Sequence, residues 1–266
     1  MTEGLGDRCK QYEMAEAGKR ALRGTPLIAR LDGRAFHTFT RDLRRPYDEA
    51  MSRCMIETTR YLVRHMNALV GYTQSDEISL AWYEPSQSVS EYPFDGRLQK
   101  LTSVLAGMAS VCFLTQLMER LPGKAAELPH FDCRVWQVPT LADAADVFLW
   151  REDDATKNSI TMAARAVYSD RELHEKDSSV KQEMLFQKGI NWNDYPAFFK
   201  RGSYLQRRTV MKSLMEDERA KIPERHRPAP DALFERTEVL EIDLPPARKI
   251  GNLLGVLFER AEPIDR

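Results

Sequence analysis

The sequence is poor in cysteine. It has four in 266 residues, Cys9, Cys54, Cys112 and Cys133. They lie far apart, form no CxxC pair and have no histidine at zinc-finger spacing. A disulfide scaffold and a structural zinc site are therefore excluded, and a reducing, cytoplasmic setting is expected. Net charge is nearly absent too: 39 basic against 40 acidic residues leave −1. Such a chain does not hold a polyanion merely by being basic, although local basic patches remain open. The longest mostly apolar stretch, Val104 to Leu114, is about half of what a bilayer-spanning helix needs, so no membrane partner is expected. The N-terminal segment MTEGLGDRCKQYEMAEAGKR is charged and lacks the apolar centre of a signal peptide. No internal repeat or low-complexity tract is present. A hydrophobic content of 42% excludes whole-chain disorder and predicts a soluble globular protein of one large domain or two small ones.

The pattern along the chain alternates strand and helix signals. Pro26 to Leu31 is an apolar run that ends at Asp32-Gly33-Arg34, which predicts a buried strand delivering a carboxylate to its end. Asp48 is a helix N-cap, and Met51, Cys54, Met55, Thr58, Tyr61, Leu62 and His65 then recur at helical spacing as one buried face. Residues 69–82 read as a β-hairpin with Asp76 at or beside its turn. Residues 97–121 are helical and apolar on most faces, which predicts a helix packed on more than one side. Phe131 to Val138 is a further strand and Ala155 to Val167 a further helix. Ser179 to Gln182 resembles a capping box opening a short helix that Gly189 closes. Residues 213–236, charged and carrying Pro223, Pro228 and Pro230, read as a surface excursion, with a late strand over Glu238 to Leu244. The expected fold class is α+β: an antiparallel sheet with helices packed on one face, plus a C-terminal extension. Residues 1–212 are expected to form the catalytic domain, with 213–266 packing on it.

Two carboxylates, Asp32 and Asp76, each end or interrupt an apolar strand, and Glu77 adds a third. Either aspartate alone is an ordinary turn former. If the strands are neighbours, however, the acids converge at one sheet edge, where mutual repulsion calls for a cation. Mg²⁺ suits oxygen ligands and substrate phosphates, and two such ions can serve a phosphoryl or nucleotidyl displacement. Arg45, Arg97, Lys100 and Lys181 occupy helix starts or loops suited to gripping a triphosphate. Taken singly, each reads first as an ordinary solvated surface charge. Trp136 and Trp150 read as core residues first and base-stacking residues second.

The segment Arg30-Leu31-Asp32-Gly33-Arg34-Ala35-Phe36-His37-Thr38-Phe39, with Arg45-Pro46-Tyr47-Asp48, is similar to the first signature of the tRNA-His guanylyltransferase family. Tyr72-Thr73-Gln74-Ser75-Asp76-Glu77-Ile78-Ser79 resembles the second. Phe131-Asp132-Cys133-Arg134-Val135 resembles a further segment, with Cys133 in place of a glycine. Lys181-Gln182-Glu183-Met184-Leu185-Phe186, then Gly189-Ile190-Asn191-Trp192-Asn193 and Lys200-Arg201-Gly202, continue the resemblance in order. It runs from about residue 5 to 205.

This resemblance implies a polymerase- and cyclase-like palm that extends RNA in the 3′–5′ direction. A 5′-monophosphate end is activated with ATP or GTP, and the 3′-hydroxyl of a nucleoside triphosphate then attacks it. By motif position, Asp32 and Asp76 would bind two Mg²⁺ ions with the Gly33 carbonyl assisting and Glu77 beside them. Ser75, Arg45, Arg97 and Lys100 would contact triphosphate, with Arg34, Phe36 and His37 by the nucleotide; His37 has the alternative of a packed, hydrogen-bonded histidine. Lys181 and Asn191 would hold a second triphosphate or the RNA 5′ end. The resemblance also implies a homo-tetramer, a dimer of dimers, with tRNA as partner.

One departure stands out. Family members that add G to tRNA-His carry a His-Ile-Asn-Asn segment, whereas this chain has Ala155-Thr156-Lys157-Asn158-Ser159. The expected function is thus Mg²⁺-dependent, template-directed repair of tRNA 5′ ends. G addition to tRNA-His specifically, a palm-fold nucleotide cyclase and a non-catalytic RNA-binding protein are the alternatives.

Overall fold

The computed structural model describes residues 4–87 and 91–266; the first three residues of the charged N-terminal segment lie outside the described residues. In chain order the main elements are α1 (Leu5–Ala17), β1 (Leu27–Gly33), α2 (Phe36–Phe39), α3 (Glu49–His65), β2 (Val70–Gln74), β3 (Glu77–Trp82), α4 (Leu98–Arg120), α5 (Pro122–Ala125), β4 (Phe131–Gln137), α6 (Leu141–Arg165), α7 (Asp170–Leu173), α8 (Ser178–Gln187), α9 (Ala197–Arg201), β5 (Ser203–Ser213), α10 (Glu216–Ala220), β6 (Leu233–Ile242) and α11 (Leu253–Glu259). The strands form a six-stranded sheet of order β4-β1-β3-β2-β5-β6, and every neighbouring pair is antiparallel. The fold is α+β, as expected.

Helices cover both faces of this sheet rather than one. Leu27, Ala29 and Leu31 of β1 join the core built with α3 and α4, while the alternate residue Ile28 joins Phe148 of α6 and Leu257 of α11. All four β1 side chains are fully buried. A strand whose residues of both parities are apolar is a strand covered on both sides. That feature of Pro26 to Leu31 outweighs the simpler one-face architecture.

The helix α3 follows expectation: the Asp48 carboxylate accepts from the Met51 amide at 3.0 Å, and Met51, Cys54, Met55, Thr58 and Leu62 are buried. Of the expected stripe, Tyr61 is half-buried and His65, at the helix end, is exposed. Helix α4 differs. Its 23 residues are long and apolar enough to cross a membrane by length and composition, yet Leu101, Leu105, Ala109, Phe113 and Leu117 form a single buried stripe. Val111 and Met118 are exposed on its outer side, so in this chain it is packed on one side and not on several.

Three boundaries also move. The helix expected from Ala155 begins at Leu141, where Thr140 and Asp143 cap one another, the Asp143 amide donating to Thr140 Oγ1 at 3.1 Å and the Thr140 amide to Asp143 Oδ2 at 2.9 Å. The cap of α8 is Asp177 rather than Ser179, its carboxylate accepting from the Val180 amide at 2.9 Å. Gly189 closes that helix at φ +75° as expected, its amide donating to Phe186 O at 2.8 Å. Residues 213–236 are not all excursion: Leu233 to Arg236 open β6, which pairs with β5 from Ser213↔Leu233 to Tyr204↔Ile242. A two-stranded ribbon with little to cover it carries charge on both faces, so it lacks the alternation that marks a strand.

Candidate functional site

Strand pairing builds the acid cluster. In the β1–β3 register Asp32 stands opposite Glu77, and across β4 it stands opposite Asp132. The β2–β3 turn is made by Ser75, at φ +54°, and Asp76, whose carbonyl accepts from the Gly33 amide at 3.0 Å. Asp76 is thereby drawn beside Asp32. Burial pushes the Asp76 carboxyl above its usual range, the Asp32 charge pushes it further, and the Ser75 hydroxyl and nearby His37 oppose this. A carboxylate held beside a second one in a partly desolvated spot is costly to ionise, as Asp76 is here, and a cation relieves that cost. Among the described residues no group of three or more His, Cys, Asp or Glu could hold a metal ion.

Glu77 is committed elsewhere. Its Oε2 accepts from Arg151 Nη2 at 2.7 Å, and Arg151 Nε lies 2.6 Å from Oε1, though off the hydrogen-bond axis. The same Nη2 donates to Asp154 at 3.0 Å. Burial pushes the Glu77 carboxyl up, and Arg151 is the main opposing influence.

Beneath the acids lies an aromatic base. The Phe36 ring is buried with its centroid 4.9, 5.5 and 5.2 Å from those of Phe39, Phe113 and Phe131. A Cβ on Gly33 would meet that ring at 2.4 Å, so only glycine lets β1 run over it. Phe36 therefore supports the site from the core and does not present its ring to a ligand. Ala35, at φ +57°, starts the short α2 that carries exposed His37 toward Asp76. Arg34 is exposed, and its Nη1 lies 3.3 Å from His130 Nε2.

Beside the acids opens a solvent-connected cleft lined by Arg44, Arg45, Tyr47, Gln74, Ser75, Met162 and Phe198 among others. The cleft brings Arg45 and Ser75 together. Lys181 is close by on α8, donating to Thr161 Oγ1 at 3.1 Å, one residue before the cleft-lining Met162. Asn191 is farther along, in a groove with Phe186 and Trp192, where its side chain accepts from the Asn193 amide at 3.0 Å.

Arg97 and Lys100 are not brought to the acids. The amide after Arg97, that of Leu98, donates to Lys19 O, and the Ala21 amide donates to Gly96 O. Tyr92 OH bonds Thr25 O at 2.6 Å, just before β1. This is the opposite end of β1, with about 17 Å of extended strand between Leu27 and Asp32.

Arg151 and Asp154 are not singled out by the sequence, and Asp132 appears there only within the Phe131 to Val135 segment. The run Trp150-Arg151-Glu152-Asp153-Asp154 is the signal that could have found them: charges on a helix whose other positions face a sheet. Glu152 is buried, accepting from Tyr204 OH at 3.0 Å and the Ala247 amide at 2.8 Å.

The family model described as tRNAHis guanylyltransferase matches residues 6–139. The chain belongs to this family. Its members named as such are nucleotidyltransferases, and so is this chain. A tRNA(His) guanylyltransferase of Debaryomyces hansenii is 31% identical over 70% of this chain and 75% of its own length. A probable tRNA(His) guanylyltransferase of Drosophila melanogaster is 27% identical over 87% of this chain and 85% of its own. Among solved structures, a bacterial tRNA(His) guanylyltransferase-like protein in complex with ATP superposes with a TM-score of 0.72 and 36% identity, covering 77% of this chain and 87% of that one. One in complex with GTP superposes with a TM-score of 0.70 and 29% identity, covering 93% and 95%.

Proposed function

We propose that this family member adds nucleotides to the 5′ end of tRNA in the 3′–5′ direction, on a polymerase-like palm, and that it repairs 5′-truncated tRNAs against the opposite strand. The observation that carries the reading is the convergence of Asp32, Asp76 and the Gly33 backbone beside the cleft that Arg45 and Ser75 line. ATP- and GTP-bound bacterial relatives add support. In the first step the RNA 5′-phosphate attacks the α-phosphorus of ATP, and pyrophosphate leaves. In the second the 3′-hydroxyl of the incoming nucleoside triphosphate attacks the activated 5′-phosphorus, and AMP leaves. Such displacements ask the protein for alignment and charge stabilisation.

The paired carboxylates and a backbone carbonyl form an all-oxygen donor set that fits Mg²⁺, which takes one or two carboxylates and leaves the rest to water and phosphate. Asp32, Asp76 and the Gly33 carbonyl would hold it, and bound Mg²⁺ neutralises triphosphate charge. Ser75 and Arg45 orient the triphosphate in the cleft, and His37 stands near Asp76. Glu77, tied to Arg151, holds the hairpin carrying Asp76 in place. Arg97 and Lys100 serve the site of a neighbouring copy in a homo-tetramer, and their distance from the acids of their own chain supports this. Repair is preferred to strict G addition because Thr156 stands where the His-Ile-Asn-Asn segment has its histidine.

The test uses 5′-monophosphorylated tRNAs, complete or lacking the first nucleotide, with labelled nucleoside triphosphates, ATP and Mg²⁺. Template-matched addition to the truncated tRNA, absent with Asp32→Ala and Asp76→Ala although both variants keep native circular dichroism, is the expected outcome. Addition of G alone, to tRNA-His alone, refutes the repair reading. A cyclic nucleotide formed without RNA, or RNA binding without any addition, refutes the transferase reading.

A further inference from the structure

We infer that Trp150 is a stacking platform for a base of the RNA strand that enters the acid site, an inference that rests on the nucleotidyl-transfer reading. The ring is in an unexpected place. The buried side of α6 is made by Ala144, Ala145, Phe148, Glu152, Ala155 and Ser159, and Trp150 sits on the other side, 52% exposed. About half of the ring is thus accessible to a stacking partner.

Two guanidinium groups lie over the ring. Arg151 Cζ lies 4.5 Å from the ring centroid and Arg30 Cζ lies 5.7 Å from it, both within cation–π reach. Each arginine also ties the ring to the acids. Arg151 grips Glu77, the residue after Asp76. Arg30 is two positions before Asp32 on the same face of β1, about 7 Å along the strand. Arg134 stands opposite Arg30 in the β1–β4 register, half-exposed and 3.8 Å from Asp132.

An indole ring with guanidinium groups over it and about half of its surface open to solvent matches a base attached to a phosphodiester backbone. The occupant is the RNA and not the free nucleotide, because Trp150 does not line the cleft that holds Arg45 and Ser75. A triphosphate seated in that cleft leaves the ring open to a second nucleotide unit, which is the RNA end being extended.

The experiment measures binding of a 3′-labelled, 5′-monophosphorylated tRNA lacking its first nucleotide, by fluorescence anisotropy, alongside ATP binding. The full-length protein is compared with Trp150→Ala, Trp150→Phe and Arg134→Ala. Trp150→Ala is expected to weaken RNA binding about tenfold or more while the ATP Kd stays within twofold, and Trp150→Phe to retain binding within about threefold. Arg134→Ala should lower the slope of log Kd against log salt by about one, which Trp150→Ala should not. Tryptophan quenching by saturating RNA should be smaller in Trp150→Phe than in the native protein. RNA binding by Trp150→Ala equal to native, or an equal loss of RNA and ATP affinity, overturns the inference. A native protein that binds ATP but no RNA overturns the transferase reading itself.

Discussion

Replacing Arg151 by methionine tests how the acid site is held. The guanidinium and the Glu77 carboxylate are 11% and 18% exposed, so neither ion keeps much of its hydration. Breaking a fully buried pair by deleting one partner costs about 3–5 kcal/mol, because the remaining charge is left uncompensated. Some solvent access to Glu77 lowers this to about 2–3 kcal/mol, and the contact with Asp154, which is 41% exposed, adds little. For a chain of this length the melting temperature should fall by roughly 5–10 °C. The double variant Arg151→Met/Glu77→Met removes both charges and should be more stable than Arg151→Met alone, since an apolar pair of similar volume is often neutral or better. Turnover should drop in both, because the hairpin carrying Asp76 loses its tether to α6. Thermal denaturation of the four members of this cycle, with nucleotide addition measured on each, is the assay. A single variant melting within about 1 °C of native, or strictly additive losses, would refute the reasoning.

Asp76→Asn should abolish nucleotide addition while raising the melting temperature by about 2–4 °C, since it removes a carboxylate that burial and Asp32 make costly to ionise; a fall in stability measured by calorimetry contradicts this. Burial likewise holds the Glu152 carboxyl above its usual range. The native state therefore keeps that proton to a higher pH than the unfolded chain does, and its favourable contribution is full at low pH and is lost as pH rises through the folded pKa. Relative to native, Glu152→Gln should accordingly gain stability between pH 4 and pH 7, and parallel melting curves across that range would count against it. Gly202→Ala should cost about 2–3 kcal/mol in chemical denaturation, since Gly202 sits at φ +80° and a Cβ there would meet Thr73 O at 2.6 Å; a near-native midpoint would show that the β2–β5 junction gives way easily.

Local chemistry determined much of this molecule. The apolar run ending in Asp32-Gly33, the Asp48 cap with its helical stripe and the hairpin turning at Ser75-Asp76 are written in short spans, because each depends on backbone preferences and spacings within about ten residues. The pairing that sets Asp32 opposite Glu77 and beside Asp76 followed once those strands were neighbours. What lay beyond the sequence depended on contacts between distant segments. Whether one face of the sheet was covered or both, whether the tail was loop or ribbon, and where α6 began were settled by which surfaces met. Arg97 and Lys100 looked like companions of the acids in the linear string, yet α4 starts at the opposite end of β1 and keeps them away. Arg151 is one charge in the run 150–154, and only the packing of α6 over the sheet makes it the partner of Glu77. Trp150 looked like core, and the rotation of the same helix turns it outward. Residue type and spacing specify what a segment can do locally; burial, charge pairing and exposure belong to pairs of segments, and only the folded chain chooses those pairs.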